Sequence, residues 1–187
     1  HPSVAALYDL GGDEQHLYIV TERHEGRSLQ NFLDGSPGGL SLSPTDVRIL
    51  IEAVASVLQY AHGYGISHGE LCPEQILLAP GRRVQVLRYA PEVLDLRTSD
   101  RLWEKLPSLA FYQSPQQMVG FPATQADDIY ALGMLLYRLT TGAYPFGAAS
   151  LPMFIEQVLT RIPDDVGTVS GYPRNVGSVI ARCLAKN

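Results

Sequence analysis

"HGELCPEQILL", residues 68–78, places a histidine, two carboxylates, a thiol and a proline immediately before an apolar run. The glycine-rich "GYGIS" precedes it, so the stretch reads as a loop that carries polar groups to the mouth of a strand. Upstream lies the strongest helix signal in the chain. Ser43 stands at the N-cap, Pro44 at the first helical position and Asp46 in the first turn, and Val47, Leu50, Ile51, Val54, Leu58 and Ala61 follow at helical spacing. That helix should end near Gly63 and Gly65. Downstream, "QILLAP" and "VQVLRY" predict two short strands around the turn "GRR".

Further out, residues 4–10 and 16–22 are short β-rich runs separated by "GGDEQ", which predicts a hairpin with the glycine pair in its turn. "HEGR" reads as a connection, and "SLQNFL" as a short helix with Ser28 at its N-cap. From 91 to 114 no period persists, which predicts a long loop. Residues 126–141 are apolar nearly all round, so they predict a buried helix closed by Gly142. Helical patterns follow at 151–161 and 175–186. The fold class is α+β: a small strand pair, then a mostly helical body.

Composition narrows the function classes. With 187 residues, 45% hydrophobic and only 18% charged, the chain has enough apolar side chain for a sizeable core. A formal net charge of -5 leaves no basic stripe for a phosphate backbone, so no nucleic acid partner is expected. Cys72 and Cys183 lie far apart and read as free thiols, which suits a reducing, cytoplasmic setting. No apolar run is long enough to span a bilayer. His1, His16, His24 and His62 lack metal-ligand spacing and read as surface residues, whereas His68 reads as buried. With no initiator Met and an ending inside a helical pattern, the chain reads as an excised piece.

Six stretches in register resemble the protein kinases, in particular the bacterial Ser/Thr branch. They are "HPSVAALYDLGGDEQHLYIVTERHEGRSL", "HGELCPEQILL", "VQVLRYA", "YQSPQQMVG", "DDIYALGMLLYRLTTGAYPF" and "IARCLAKN". The resemblance implies a kinase-like fold with a mostly helical C-terminal lobe and a partial N-terminal lobe hairpin. Residues 1–24 would be a remnant of the small lobe and hinge; residues 25–187 would be the large lobe, cut before its last helix. It also implies a nucleotide cleft formed by Thr21, Glu22, Arg23, His24, Leu77 and Leu87. Asp128 would hold the catalytic-loop backbone, and Leu7, His68 and Tyr89 would join a stacked apolar spine.

Several positions depart from the family pattern. Glu70 stands where the resemblance expects the base Asp, and one extra methylene displaces its acceptor oxygens from a substrate hydroxyl. Cys72 replaces a Lys, Gln75 a metal-binding Asn, and Arg88-Tyr89-Ala90 the metal-binding Asp-Phe-Gly. A guanidinium repels Mg²⁺, which takes hard oxygen ligands. Gly69 replaces the Arg that reads a phosphorylated activation loop, so phosphorylation of Thr98 or Ser99 is not expected to act by that route. Gln116 replaces the Glu of an internal ion pair. Asp127 and Asp128, at a helix start, read as capping residues rather than a metal pair.

These losses lead to the expectation of a catalytically inactive, pseudokinase-like domain without metal or cofactor, and so not an enzyme. It would act as a scaffold or allosteric regulator that binds a protein partner or a neighbouring domain. Trp103, Met153 and Phe154 would serve as anchors if exposed, and Cys72 would be an inert thiol in a partly exposed cleft. Two alternatives stay open: an ATP sensor needing no metal, with Arg88 on a phosphate, and a divergent Ser/Thr kinase with Glu70 as base.

Overall fold

The computed structural model describes residues 1–13, 17–23, 25–35, 42–87, 109–147, 150–167 and 172–186. β1 (Leu7–Gly12) and β2 (Leu17–Thr21) form an antiparallel hairpin. The glycine pair is strand rather than turn: Gly11 and Gly12 pair with Tyr18 and Leu17. The predicted strand also begins too early. Val4 instead makes a parallel bridge to Val86, and the Val86 amide donates to the Ser3 carbonyl at 2.8 Å. The start of the chain is thereby tied to the body. Leu7, expected in a stacked spine, is 63% exposed, because β1 and β2 pair only with each other among the described residues.

β3 (Arg27–Ser28) lies in the stretch read as a connection, since two residues carry no alternation to detect. It is one edge of an antiparallel sheet of order β3-β4-β5, with β4 (Ile76–Ala79) in the centre and β5 (Arg83–Val86) beyond a short 3₁₀ turn. Ser28 then caps α1 (Leu29–Asp34), its Oγ accepting from the Asn31 amide at 3.1 Å.

α2 (Pro44–His62) begins as its sequence dictates, with Ser43 Oγ accepting from the Asp46 amide at 3.2 Å. Its buried face is Val47, Leu50, Val54, Val57, Leu58 and Ala61. Residues 109–112, inside the predicted loop, form a 3₁₀ turn that buries Leu109, Ala110 and Tyr112. Side chains this apolar gain more from the core than from solvent, and they pull the chain inward. α3 (Pro115–Met118) follows, then α4 (Gln125–Thr141), closed by Gly142.

Helix α4 is the central post. It packs on α2 and on α6 (Val176–Cys183), the latter through Gly133, and buries Tyr130, Ala131, Met134, Leu135 and Leu139. A Cβ on Gly133 would stand 2.6 Å from Cys183 Cβ, so only glycine allows this crossing. α5 (Leu151–Thr160) completes the body. Of the expected surface anchors, Met153 is 50% exposed, but Phe154 is 3% exposed and packs edge-on to Phe111. Its place on the apolar face of α5 turns it inward; Trp103 lies outside the described residues. No described helix is long and apolar enough to cross a membrane.

Met134 is fully buried on α4, the helix that packs on both α2 and α6. Met134→Ala should therefore cost about 2–5 kcal/mol in urea unfolding, whereas Ile129→Ala on the exposed side of the same helix should cost under about 1 kcal/mol.

Candidate active site

The loop 68–75 is held by one carboxylate. Asp128, in the first turn of α4, is 1% exposed. Its Oδ2 accepts from the His68 amide at 2.7 Å, its Oδ1 from the Gly69 amide at 2.8 Å, and the His62 ring donates Nε2–H to Oδ2 at 2.7 Å. His62 is thus no surface residue. The end of α2 faces the start of α4, and a carboxylate drawn out of water takes every donor within reach. At Gly69 φ is +78°, a conformation that costs an L side chain about 1–2 kcal/mol and glycine almost nothing.

His68 is buried and orients the base position. Its Nε2 donates to the Leu87 carbonyl at 2.9 Å, which leaves Nδ1 as an acceptor for the Glu70 amide at 3.3 Å. These partners fix the neutral tautomer with its proton on Nε2. The Glu70 backbone is therefore positioned by a ring that is anchored to the residue after β5.

A second clasp comes from the segment after the 3₁₀ turn. Gln117 donates Nε2–H to the Gly69 carbonyl at 2.7 Å and accepts on Oε1 from the Ser114 amide at 3.2 Å. Ser114 Oγ accepts from the Gln117 amide at 3.1 Å and donates to Asp127. Asp127 also accepts from the amide and hydroxyl of Thr124, at 2.6 and 2.7 Å. The adjacent aspartates thus hold two different segments. His62, Ser114 and Gln117 did not emerge as site residues from the sequence. The Ser-Pro-x-Gln spacing at 114–117 was a readable capping box; His62 carried no signal.

The expected cleft residues are placed unevenly. Leu77 in β4 and Leu87 just after β5 are half-buried, and Thr21 and Arg23 are exposed at the end of the hairpin. The Glu22 amide donates to the Ala6 carbonyl at 2.8 Å, so it does not face a ligand. Expectations for His24, Arg88 and Tyr89 lie outside the described residues.

Cys72 is buried rather than partly exposed, because it starts the 3₁₀ turn Pro73–Gln75 with its side chain turned into the core. Burial, reinforced by the nearby Glu74 carboxylate, pushes its thiol well above the ordinary range, so it stays neutral. Gln75 is buried as well. Among the described residues no group of three or more His, Cys, Asp or Glu is arranged to hold a metal ion.

A loop of this sequence, clamped from the first turn of a buried central helix and followed by a strand pair, defines the large lobe of a protein kinase-like fold. The chain matches the protein kinase domain family over residues 1–187 and belongs to that family. It is 28% identical over its whole length to the serine/threonine-protein kinase PrkC of Bacillus subtilis, covering 28% of that protein. It is 27% identical, again over its whole length, to the probable serine/threonine-protein kinase PknB of Lactococcus lactis, covering 30% of it. To the serine/threonine-protein kinase PkaA of Streptomyces coelicolor it is 30% identical over its whole length, covering 34%. The chain thus spans about a third of the length of these curated relatives. The expectation of a chain that is not an enzyme does not stand against these matches. The family and the relatives' names point to a kinase, and replaced side chains alone did not warrant the opposite conclusion.

Two outcomes check this geometry. Asp128→Ala leaves the His68 and Gly69 amides and the His62 ring without their acceptor, and should cost about 3 kcal/mol or more in urea unfolding. Cys72 should resist iodoacetamide at pH 8 in the folded protein and react once urea unfolds it, as read by mass spectrometry.

Proposed function

We propose that this chain is the large lobe, with the hinge, of a divergent Ser/Thr protein kinase in which Glu70 accepts the proton of the substrate hydroxyl. The supporting observation is the restraint on the Glu70 backbone, whose amide bonds His68 Nδ1 while Asp128 holds the two preceding amides. A base need not be an Asp if its backbone is fixed and its carboxylate reaches the acceptor hydroxyl. Residues 1–24 serve as small-lobe hairpin and hinge, and residues 25–187 as the large lobe. ATP lies between the hinge, Leu77 and Leu87. Serine and threonine side chains of proteins are the substrate class, as the names of the relatives suggest. The free cysteines suit a cytoplasmic domain.

A second reading concerns the nucleotide. The reading is ATP binding that owes little to a divalent ion, supported by the guanidinium of Arg88 at the position where the family pattern has a metal-binding Asp, with allosteric and scaffolding contacts to protein partners added to transfer. Thermal unfolding with ATP, with and without EDTA, checks it: the stabilisation should persist in EDTA and disappears there if a metal is needed.

The test of the first reading is labelled-phosphate transfer from ATP to a protein substrate by the full-length protein. Glu70→Gln should lower kcat by about 100-fold or more with little change in KM. Unchanged turnover would remove Glu70 from the chemistry.

A further inference from the structure

Arg138, in the last turn of α4, has a guanidinium of which only one nitrogen is used among the described residues. Nη1 donates to the Gln30 side-chain oxygen at 3.2 Å, to the Tyr112 hydroxyl at 3.0 Å and to the Tyr144 hydroxyl. The group also lies 4.4 Å over the Tyr144 ring, itself stacked on Phe111 at 4.5 Å. Three neutral oxygens and an aromatic face therefore fix a half-buried cation. No carboxylate among the described residues comes within ion-pair distance of it, and Nε and Nη2 have no protein acceptor there. The helix dipole accounts for a cation in the last turn, but not for its unused edge.

That edge is the one a guanidinium uses for two parallel hydrogen bonds to a carboxylate or phosphate. Its surroundings place it beside the candidate active site. Gln30 belongs to α1, which packs on the 73–75 turn after Glu70, and Tyr112 ends the turn that leads to Ser114 and Gln117. The titratable groups that face the cluster are Tyr112, Tyr144, Glu74 and Asp34; the last two are near enough to act electrostatically on Tyr144. Asp34 is engaged by the Gln30 side-chain amide at 2.6 Å. Their charges moderate the field of Arg138 without pairing with it.

We propose that Arg138 is a specificity residue that binds an acidic side chain, Asp, Glu or a phosphorylated residue, of a peptide segment laid along the 68–75 loop. This rests on the reading of the chain as a protein kinase lobe, for which such a segment is the substrate. The ring of Tyr144 sets the plane of the guanidinium, and Gln30 and the two hydroxyls set its rotation, so the edge without a partner among the described residues is already oriented.

The test is binding rather than turnover. Serine-centred synthetic peptides, scanned one position at a time with Glu, phosphoserine, Gln or Arg, are titrated by fluorescence anisotropy into the full-length protein without ATP. At one position or more, Glu and phosphoserine should bind about tenfold tighter than Gln, and less so as salt is raised. Phosphoserine should exceed Glu if phosphate is the preferred form, and Glu should equal it if carboxylate suffices. Arg138→Gln should abolish the preference, Arg138→Glu should turn it toward Arg, and Arg138→Lys should keep part of it. Urea unfolding verifies that each variant is folded, and the Lys variant decides the matter if the other two are not. Equal binding of Glu and Gln peptides at every position, or an acid preference that survives Arg138→Glu, would overturn the proposal. An acid preference in a protein that transfers no phosphate would uphold the docking site and sink the chemistry assigned to Glu70; transfer without an acid preference would do the reverse.

Discussion

The buried carboxylate of Asp128 is the constraint on which the arrangement depends. A charge that is 1% exposed must be met by donors, and here they come from the backbone of the loop and from a histidine at the far end of another helix. The loop path, the end of α2 and the start of α4 are therefore fixed together. The apolar packing of α2 on α4 places the helices; the carboxylate decides what passes between them. Asp127 does the same for the neighbouring segment through Ser114 and Thr124, and Gln117 links the two clasps through the Gly69 carbonyl.

Within that frame four positions carry the local chemistry. Gly69 adopts a φ of +78° that glycine takes without strain. Cys72 lies in the core, where a neutral thiol packs as a small apolar group. Glu70 keeps a carboxylate at the end of a restrained backbone. Arg138 adds a cation on the side of the loop where α1 rests. These four positions lie on a lobe whose fold is that of the protein kinase family.

Much of the fold was legible because the signals were local and physical. The N-caps Ser28 and Ser43, the proline at the start of α2 and the nearly all-apolar α4 each specify an element by short-range rules. What was not legible depended on distant partners. β3 exists because β4 lies beside it, the Gly11–Gly12 pair is strand because Tyr18 and Leu17 sit opposite, and residues 109–112 are ordered by the core above them. The same holds for the site. Asp128 was readable from a resemblance, but the use of His62 and Gln117 was set by tertiary approach across more than forty residues of chain. The exposure of Leu7 and the burial of Phe154 went against expectation for that reason: neither residue's neighbours could be counted from its own segment.

The most direct measurement is amide hydrogen exchange, residue by residue, at His68 and Gly69 in the full-length protein. If Asp128 holds the loop through these two amides, both exchange as slowly as the core amides of α4, despite lying in a loop, and both become fast in Asp128→Asn while the α2 core stays protected. Exchange of these two amides at ordinary loop rates in the unaltered protein would contradict the account, because the 68–75 loop would then have no fixed frame.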